Sequence, residues 1–169
     1  MKKAITFREA VATDSDRIWQ IILQAKEQMR LLNSQQWRDD YPTYEHIVQD
    51  IERRYGYVLC QENMVIAYGA VVFDGEPAYD AIEGKWLTEN PYVVVHRLAT
   101  ADEMKRRGIA SLFTQKVEEL SRRNNVFSFR VDTNYDNFYM LKLLATAKFT
   151  YCGKVTYRDE ARLAYEKIL

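Results

Sequence analysis

The stretch Met104-Lys105-Arg106-Arg107-Gly108-Ile109-Ala110-Ser111-Leu112 lies between two different hydrophobic patterns. An almost continuous apolar run at residues 92–99 precedes it, which is typical of a buried strand. After it, Leu112, Val117 and Leu120 recur at helical spacing with charged residues between them. The sequence therefore predicts a strand, a basic turn with one glycine, and then a helix.

This turn has the properties of a phosphate-binding site. The first turn of a helix offers free backbone N–H groups and the positive end of the helix dipole. Gly108 allows close backbone approach, Ala110 keeps the next position small, and the preceding basic residues add positive charge. Several consecutive amides suit a diphosphate better than one phosphate. The pattern is neither a Walker loop nor a dinucleotide fingerprint, because the glycines and the Lys-Ser/Thr pair of those motifs are missing.

Length and charge restrict the function further. A chain of 169 residues predicts a single domain over residues 1–169. Its 24 Lys and Arg balance its 24 Asp and Glu, which argues against a nucleic-acid partner. Cys60 and Cys152 form no disulfide framework, and no His, Cys or carboxylate cluster has metal spacing, so we expect no metal. No apolar run approaches the roughly 20 residues of a membrane span, so we expect a cytoplasmic protein with no membrane partner.

Hydrophobic periodicity predicts the remaining elements. It predicts a first strand over residues 4–10, a helix between residues 13 and 33, and another helix over 44–54. Strands over 57–61 and 65–73 form a hairpin, and an irregular segment at 75–90 leads to the fourth strand at 92–99. After the basic turn come a helix to about residue 123, a fifth strand at 126–131, a helix at 136–147 and strands at 149–157 and 162–169.

Two motifs and this order of elements resemble the GNAT superfamily, a family of acyl-CoA-dependent N-acyltransferases. Lys105-x-x-Gly108-x-Ala110 is similar to the family's pyrophosphate signature, which usually begins with Gln or Arg. A second family element resembles Asn137-x-x-Met140 followed by Lys148-Phe149, although Lys148 stands where the family usually has Gly. The element order resembles the family along essentially the whole chain.

The resemblance implies an α+β GNAT fold, with a mostly antiparallel twisted sheet of about seven strands and four helices. It also implies that strands four and five splay apart and that the pantetheine arm of acetyl-CoA binds the free edge of strand four. The residues implied in cofactor binding are Leu98, Ala99, Thr100, Lys105, Arg106, Arg107, Gly108, Ile109, Ala110, Ser111, Asn137 and Met140.

The activity implied is acetyl transfer from acetyl-CoA to a primary amine of a small molecule or peptide, by direct attack in a ternary complex. The protein would act as a monomer or homodimer. One alternative is a CoA-binding sensor with this fold and no turnover. Another is an unrelated α/β interaction domain whose basic turn binds a different phosphate.

The catalytic residues are less clearly indicated. His96 is the titratable residue of the fourth strand with a pKa near neutrality, and Glu83 or Asp80 could act as base through water. Many relatives have a Tyr acid seven residues after the Asn, a position that is Leu144 here. Tyr135 and Tyr139 are the nearby candidates for that acid, and each also fits ordinary packing.

The acceptor is expected between the first two helices and the 75–90 segment. Aromatic walls and negative charge there would favour a cationic amine. The expected walls are Trp37, Tyr41, Trp86 and Tyr92, and the expected acids are Asp39, Asp40, Asp80 and Glu83.

Overall fold

The computed structural model describes residues 3–38 and 40–169, so the predicted acid Asp39 lies outside the described residues. Its strands are β1 (Ile5–Glu9), β2 (Gly56–Gln61), β3 (Met64–Val72), β4 (Glu83–Gly84), β5 (Val93–Thr100), β6 (Ser128–Thr133), β7 (Thr150–Tyr157) and β8 (Glu160–Ile168). Its helices are α1 (Ser15–Leu31), α2 (Tyr44–Glu52), α3 (Ile109–Arg123) and α4 (Phe138–Thr146). None of the helices in this part of the chain is long and apolar enough to cross a membrane.

The strands form one sheet in the order β1-β2-β3-β5-β6-β8-β7-β4. Only β5 and β6 pair in parallel, and the other neighbours are antiparallel. The predicted mixed fold is confirmed, with one addition. The short β4 forms within the predicted 75–90 loop and pairs with β7, so the predicted fourth and fifth strands are β5 and β6.

The sheet opens where its two halves meet. β5 and β6 are paired only by Val93 with Phe129 and Val94 with Arg130. Beyond Val94 the β6-facing edge of β5 is unpaired, which confirms the expected splay. An unpaired strand edge exposes backbone donors and acceptors for an extended ligand.

A β-bulge lies within β5 beside this opening. Ala99 is opposite Tyr68 and His96 is opposite Ala70, so Arg97 and Leu98 together face the single residue between them. Arg97 has a φ of 56°, in the left-handed region that non-glycine residues rarely occupy. Bulges bend a strand and redirect its side chains, and this one turns Arg97 towards α2.

The helices cover the sheet with apolar faces set by their sequence. α1 buries Ile18, Ile21 and Ile22 completely, and α3 buries Phe113 and Val117 completely. Full burial of such side chains stabilises the fold by about 1.5–3 kcal/mol each. Both helices pack on β3 and β5, and β5 forms one side of the opening.

A separate hydrophobic cluster forms on one sheet face beneath residues 77–92. Tyr79, Val94, Val155 and Ala164 are its buried members, and Trp86 and Tyr92 pack against them. This cluster seals the end of the sheet face where β5 and β6 are still paired.

Candidate active site

A cleft of about 630 Å³ runs through the opening between β5 and β6. One end is apolar and is formed mainly by α4 and the strands beside it, with Leu98, Phe129, Val131, Met140, Leu144 and Phe149 in its wall. The other end is polar, with Tyr41, Glu76, His96, Arg97, Asp132 and Arg162 in its wall. An extended ligand that enters at the apolar end could therefore meet a polar ligand that enters at the other end, within the opening of the sheet.

The basic turn has the backbone expected of an anion site. Gly108 is the N-cap of α3 with a φ of 73°, and a Cβ placed there would have no heavy atom within 4 Å. The Leu112 N–H donates to the Gly108 carbonyl at 2.9 Å, which is the first hydrogen bond of the helix. The N–H groups of Ile109, Ala110 and Ser111 come before it and have no acceptor within the helix. The space in front of the turn is open to a ligand.

The three basic side chains of the turn differ from one another. Lys105 contacts Gln28 and pairs with Asp102 at 2.6 Å, so its charge is partly used within the protein. Arg106 and Arg107 are exposed, and Arg107 has a weak 4.0 Å contact with the Met104 sulfur. Both arginines are thus free to turn towards an anion.

The edge of β5 presents alternating backbone groups to the opening. The Ala101 N–H donates to the Ile66 carbonyl of β3 at 2.9 Å. Because successive residues of a strand point their backbone groups to opposite sides, Ala99 also faces β3, whereas Thr100 and Leu98 face the opening. Of the three residues expected to bind pantetheine, Leu98 and Thr100 therefore offer their backbone groups, and Ala99 does not.

Asn137 holds together the two sides of the cleft. Its Oδ1 accepts from the Met140 N–H at 3.2 Å as the N-cap of α4, and its Nδ2 donates to Gln36 Oε1 at 2.9 Å. Gln36 Oε1 also accepts from Thr133 Oγ1 at 3.0 Å and from the Asn134 N–H at 3.1 Å. The predicted cofactor residue Asn137 lines the cleft, but its polar atoms bond within the protein.

His96 lies at the polar end beside a carboxylate that the sequence analysis did not select. His96 Nε2 is 3.3 Å from Glu76 Oε2, and the side chains are only 19% and 20% exposed. The hydrogen bond from His96 lowers the pKa of Glu76, against the opposing effect of burial. Glu76 is in a loop without a motif, and its only sequence signal is its position before Pro77, where its side chain caps a short helical turn.

Arg97 forms a buried ion pair in the wall of the cleft. Its Nε donates to Asp50 Oδ2 at 2.8 Å, and its Nη1 donates to the Tyr41 hydroxyl at 2.9 Å. The Tyr68 hydroxyl also donates to Asp50. The sequence shows Arg97 only as an interruption of an apolar run, so this network could not be predicted from it.

Two tyrosine hydroxyls converge on Asp132. Tyr79 donates to Asp132 Oδ2 at 2.7 Å and Tyr157 donates to the same oxygen at 3.2 Å. Burial raises the pKa of both phenols well above the ordinary value, and the nearby carboxylate raises it further. Both tyrosines therefore remain protonated donors near neutral pH.

The other predicted catalytic residues lie elsewhere. Tyr135 and Tyr139 are 69% and 58% exposed and are not in the cleft wall. Glu83 is exposed on β4, where it pairs with Lys154 of β7, and Asp80 is exposed on the short turn before it. The structure thus brings His96, but none of these four, to the cleft.

The predicted acceptor walls divide into two groups. Trp37 and Tyr41 line the cleft. The rings of Trp86 and Tyr92 instead enclose the Arg130 guanidinium, whose central carbon is 4.3 Å and 4.1 Å from their centroids. Trp86 and Tyr92 therefore help to seal the sheet face and do not line the cleft.

Metal and thiol chemistry receive no support from this arrangement. Within residues 3–38 and 40–169, no group of three or more His, Cys, Asp or Glu side chains could hold a metal ion. Burial raises the pKa of the Cys60 and Cys152 thiols. Each thiol is therefore a packing group rather than a nucleophile.

Comparisons with known proteins give a consistent result. A family model described as the acetyltransferase (GNAT) family matches residues 22–149. A GNAT-family acetyltransferase of Streptococcus agalactiae is 36% identical with a TM-score of 0.90, covering 98% of this chain and 95% of that chain. A GNAT-family acetyltransferase of Listeria monocytogenes is 16% identical with a TM-score of 0.78, covering 100% and 99% of the two chains.

A Salmonella typhimurium protein solved with its cofactor acetyl-CoA shares the fold at 13% identity and a TM-score of 0.69, covering 98% of this chain and 94% of that chain. A comparison with curated proteins found no significant match.

Proposed function

Because this chain belongs to the acetyltransferase (GNAT) family, we propose that it transfers an acetyl group from acetyl-CoA to a primary amine by direct attack in a ternary complex. The observation that supports this most strongly is the continuous cleft between β5 and β6. It joins an apolar end beside an open strand edge to a polar end with a histidine. A donor and an acceptor can approach each other from its two ends.

The donor end offers groups that suit the diphosphate, the pantetheine arm and the thioester of acetyl-CoA. Free amides at Ile109, Ala110 and Ser111 would bind the diphosphate, and Arg106 and Arg107 would add charge. The edge of β5 would bind the pantetheine arm by strand addition. Acetyl-CoA supplies the activated thioester, and the Leu98 N–H is our candidate to stabilise the oxygen on which negative charge develops.

We assign the removal of the amine proton to His96. Glu76 is bonded to His96 Nε2, which orients the ring and leaves Nδ1 as the nitrogen that accepts a proton, directly or through water. The helix position at which many relatives have a tyrosine acid is the buried Leu144, so no acid acts on the leaving thiol from that position in this scheme. A thiol is acidic enough to leave as the thiolate.

The experiment that tests the proposed function combines a thermal melt with an assay of thiol release. Acetyl-CoA should raise the melting temperature, because a ligand that binds only the native state stabilises it. A panel of primary amines should then give acetyl-CoA-dependent release of free thiol. A melt shift without turnover on any amine would favour the CoA-binding sensor, and the absence of a shift would contradict both.

Gly108→Val provides a binding-deficient variant for this experiment, with Gly108→Ala as its matched control. Both variants are strained by the positive φ, but only the β-branched side chain obstructs the amides of the turn. We expect Gly108→Val to lose the acetyl-CoA melt shift and Gly108→Ala to keep most of it. Equal loss in both variants would show that strain, and not access to the amides, is responsible.

The role of His96 is tested by the pH dependence of the rate. If His96 is the base, the rate should rise with pH in one step, because only the neutral imidazole can accept the amine proton. His96→Gln should remove this step and lower kcat without changing acetyl-CoA affinity. Persistence of the step in His96→Gln would exclude His96, and its loss in Glu83→Gln would transfer the role to Glu83.

A further inference from the structure

Arg162 on β8 differs from Arg97 and Arg38, which also line the cleft. Arg97 is paired with Asp50, and Arg38 is paired with Glu160. The Nε of Arg162 is buried and has no hydrogen-bond partner. Its single hydrogen bond in the described chain is a long one, from Nη2 to the Gln36 carbonyl oxygen at 3.5 Å, and it forms no ion pair there.

The sheet register sets the direction of this side chain. Asp132 is opposite Ala164, and Val155 is opposite Arg162, so all four residues lie on one face of the sheet. The same face holds Tyr157, which donates to Asp132. Arg162 thus points into the polar end of the cleft that His96 and Glu76 also line.

Nearby carboxylates do not neutralise Arg162. Asp132 accepts from two tyrosines, and Glu160 pairs with Arg38. A buried donor without a partner is costly to the folded protein, and more so when it is charged. A side chain held at this cost beside an open cleft fits an anionic ligand.

The charge of the surroundings selects the kind of anion. A guanidinium presents parallel N–H groups that match a carboxylate or a phosphate. Because Asp132, Glu160 and Glu76 line the same region, a doubly charged phosphate would meet more repulsion than a singly charged carboxylate. The observations therefore favour a carboxylate.

We propose that Arg162 binds a carboxylate of the acceptor, and hence that the acceptor is an amino carboxylate, a molecule with both a primary amine and a carboxylate. This inference rests on the proposed function, since it concerns the acceptor of that reaction. Arg162 acts as a specificity residue at one end of the acceptor, and His96 receives the proton at the other. The proposal adds a carboxylate to the cationic amine that the aromatic and acidic residues of the sequence favour.

The test compares α-, β- and γ-amino carboxylates with their carboxamides, which keep the amine and lose the negative charge. For at least one pair we expect kcat/KM to favour the carboxylate by about tenfold or more, because a site built for a polar group rejects the analogue that lacks it. Arg162→Gln should abolish this preference and leave the KM for acetyl-CoA unchanged. Arg162→Lys should retain part of it, since charge remains without the planar fork.

Arg158→Gln is the matched control for charge, because Arg158 is on the same hairpin and also lines the cleft, but its side chain is 81% exposed and pairs with Asp40 at 3.9 Å. It should alter the preference by less than about twofold. Equal effects of Arg158→Gln and Arg162→Gln would mean a general electrostatic effect and would overturn the assignment. A parent enzyme without preference, or a preference that survives in Arg162→Gln, would overturn it as well.

A binding measurement keeps the inference separate from the proposed function. In the presence of CoA, the amino carboxylate should raise the melting temperature of the parent and Arg162→Lys more than its carboxamide does, but not that of Arg162→Gln. Turnover of simple amines without any carboxylate preference refutes only this inference. A lack of thiol release with every amine refutes the proposed function, and a lack of the carboxylate-dependent melt shift then refutes this inference too.

Discussion

Arg130 and Arg162 project from the same face of the sheet but occupy opposite environments. Arg130 donates to Glu166 at 3.1 Å and to the Thr88 carbonyl at 2.6 Å, between two aromatic rings. Arg162 is four residues before Glu166 on β8, about 13 Å away along the strand, and has neither a carboxylate nor a ring. Two nitrogens of Arg130 thus have hydrogen-bond partners, whereas the buried Nε of Arg162 has none in the described chain.

The difference follows from the segment that covers each end. Residues 77–92 fold over Arg130, and Leu87 and Thr88 donate their N–H groups to Glu166 at 2.6 Å and 3.3 Å. The segment after α1 lies beside Arg162, where β5 and β6 have already separated, but it offers this side chain only the Gln36 carbonyl, at 3.5 Å. The same sheet face therefore contributes stability at its sealed end and leaves the Arg162 Nε without a partner at its open end.

The largest loss of stability is expected when the ion pair at the sealed end is removed. Glu166 is fully buried, so Glu166→Gln leaves the Arg130 charge without its partner. Removing one member of a buried ion pair costs about 3–5 kcal/mol. We expect the free energy of unfolding, measured by urea denaturation, to fall by that amount.

Glu160→Gln is the control for this prediction, because Glu160 is on the same strand and its side chain is 40% exposed in its pair with Arg38. An exposed pair contributes about 0–1 kcal/mol. The distinction between the sealed and open ends would be contradicted if Glu160→Gln lowered the free energy of unfolding as much as Glu166→Gln does. It would also be contradicted if Glu166→Gln had a negligible effect.

A smaller, pH-dependent effect is expected at the open end. The pKa of Glu76 is lowered in the folded protein, chiefly by its hydrogen bond with His96. Such a group stabilises the fold above the carboxyl's unfolded pKa of about 4.3, and this contribution disappears as pH falls through the lower folded pKa. Glu76→Gln should therefore cost about 1 kcal/mol at neutral pH and progressively less below about pH 4.

Urea denaturation at neutral pH and below about pH 4 measures this loss of stability. Glu89→Gln is the control, since Glu89 is exposed and forms no ion pair in the described chain. A gap between Glu76→Gln and the parent that stays constant down to acidic pH would exclude the proposed linkage.

The sequence was sufficient for the order of the elements but not for the polar end of the cleft. Periodicity located the strand at 92–99 and the helix after Gly108, because burial of apolar faces repeats locally along the chain. β4 was missed because a two-residue strand has no period. The splay came from the resemblance and not from any pattern of the residues.

The site residues were harder to predict, since their roles depend on partners distant in the chain. Trp86 and Tyr92 suggested an acceptor wall, yet their rings pack on Arg130, a residue about 40 positions away. Glu76 and Arg162 were not selected, because nothing local distinguishes a carboxylate beside a histidine, or an arginine without a partner, from a solvated charge. The binding of acetyl-CoA by the predicted cofactor residues stays a prediction.

The triple hydrogen bond at Gln36 also affects how the cleft can move. Its amide oxygen accepts from Thr133, Asn134 and Asn137. These hydrogen bonds connect the segment after α1 to the end of β6 and to the N-cap of α4. The Ser34 hydroxyl and the Gln35 N–H also donate to the Asp136 carboxylate, at 2.8 Å and 2.9 Å. The walls at the two ends of the cleft are thus mechanically linked. A displacement of α4 at one end must either break these bonds or pull the opposite wall with it, so strain applied at either mouth is transmitted to the other.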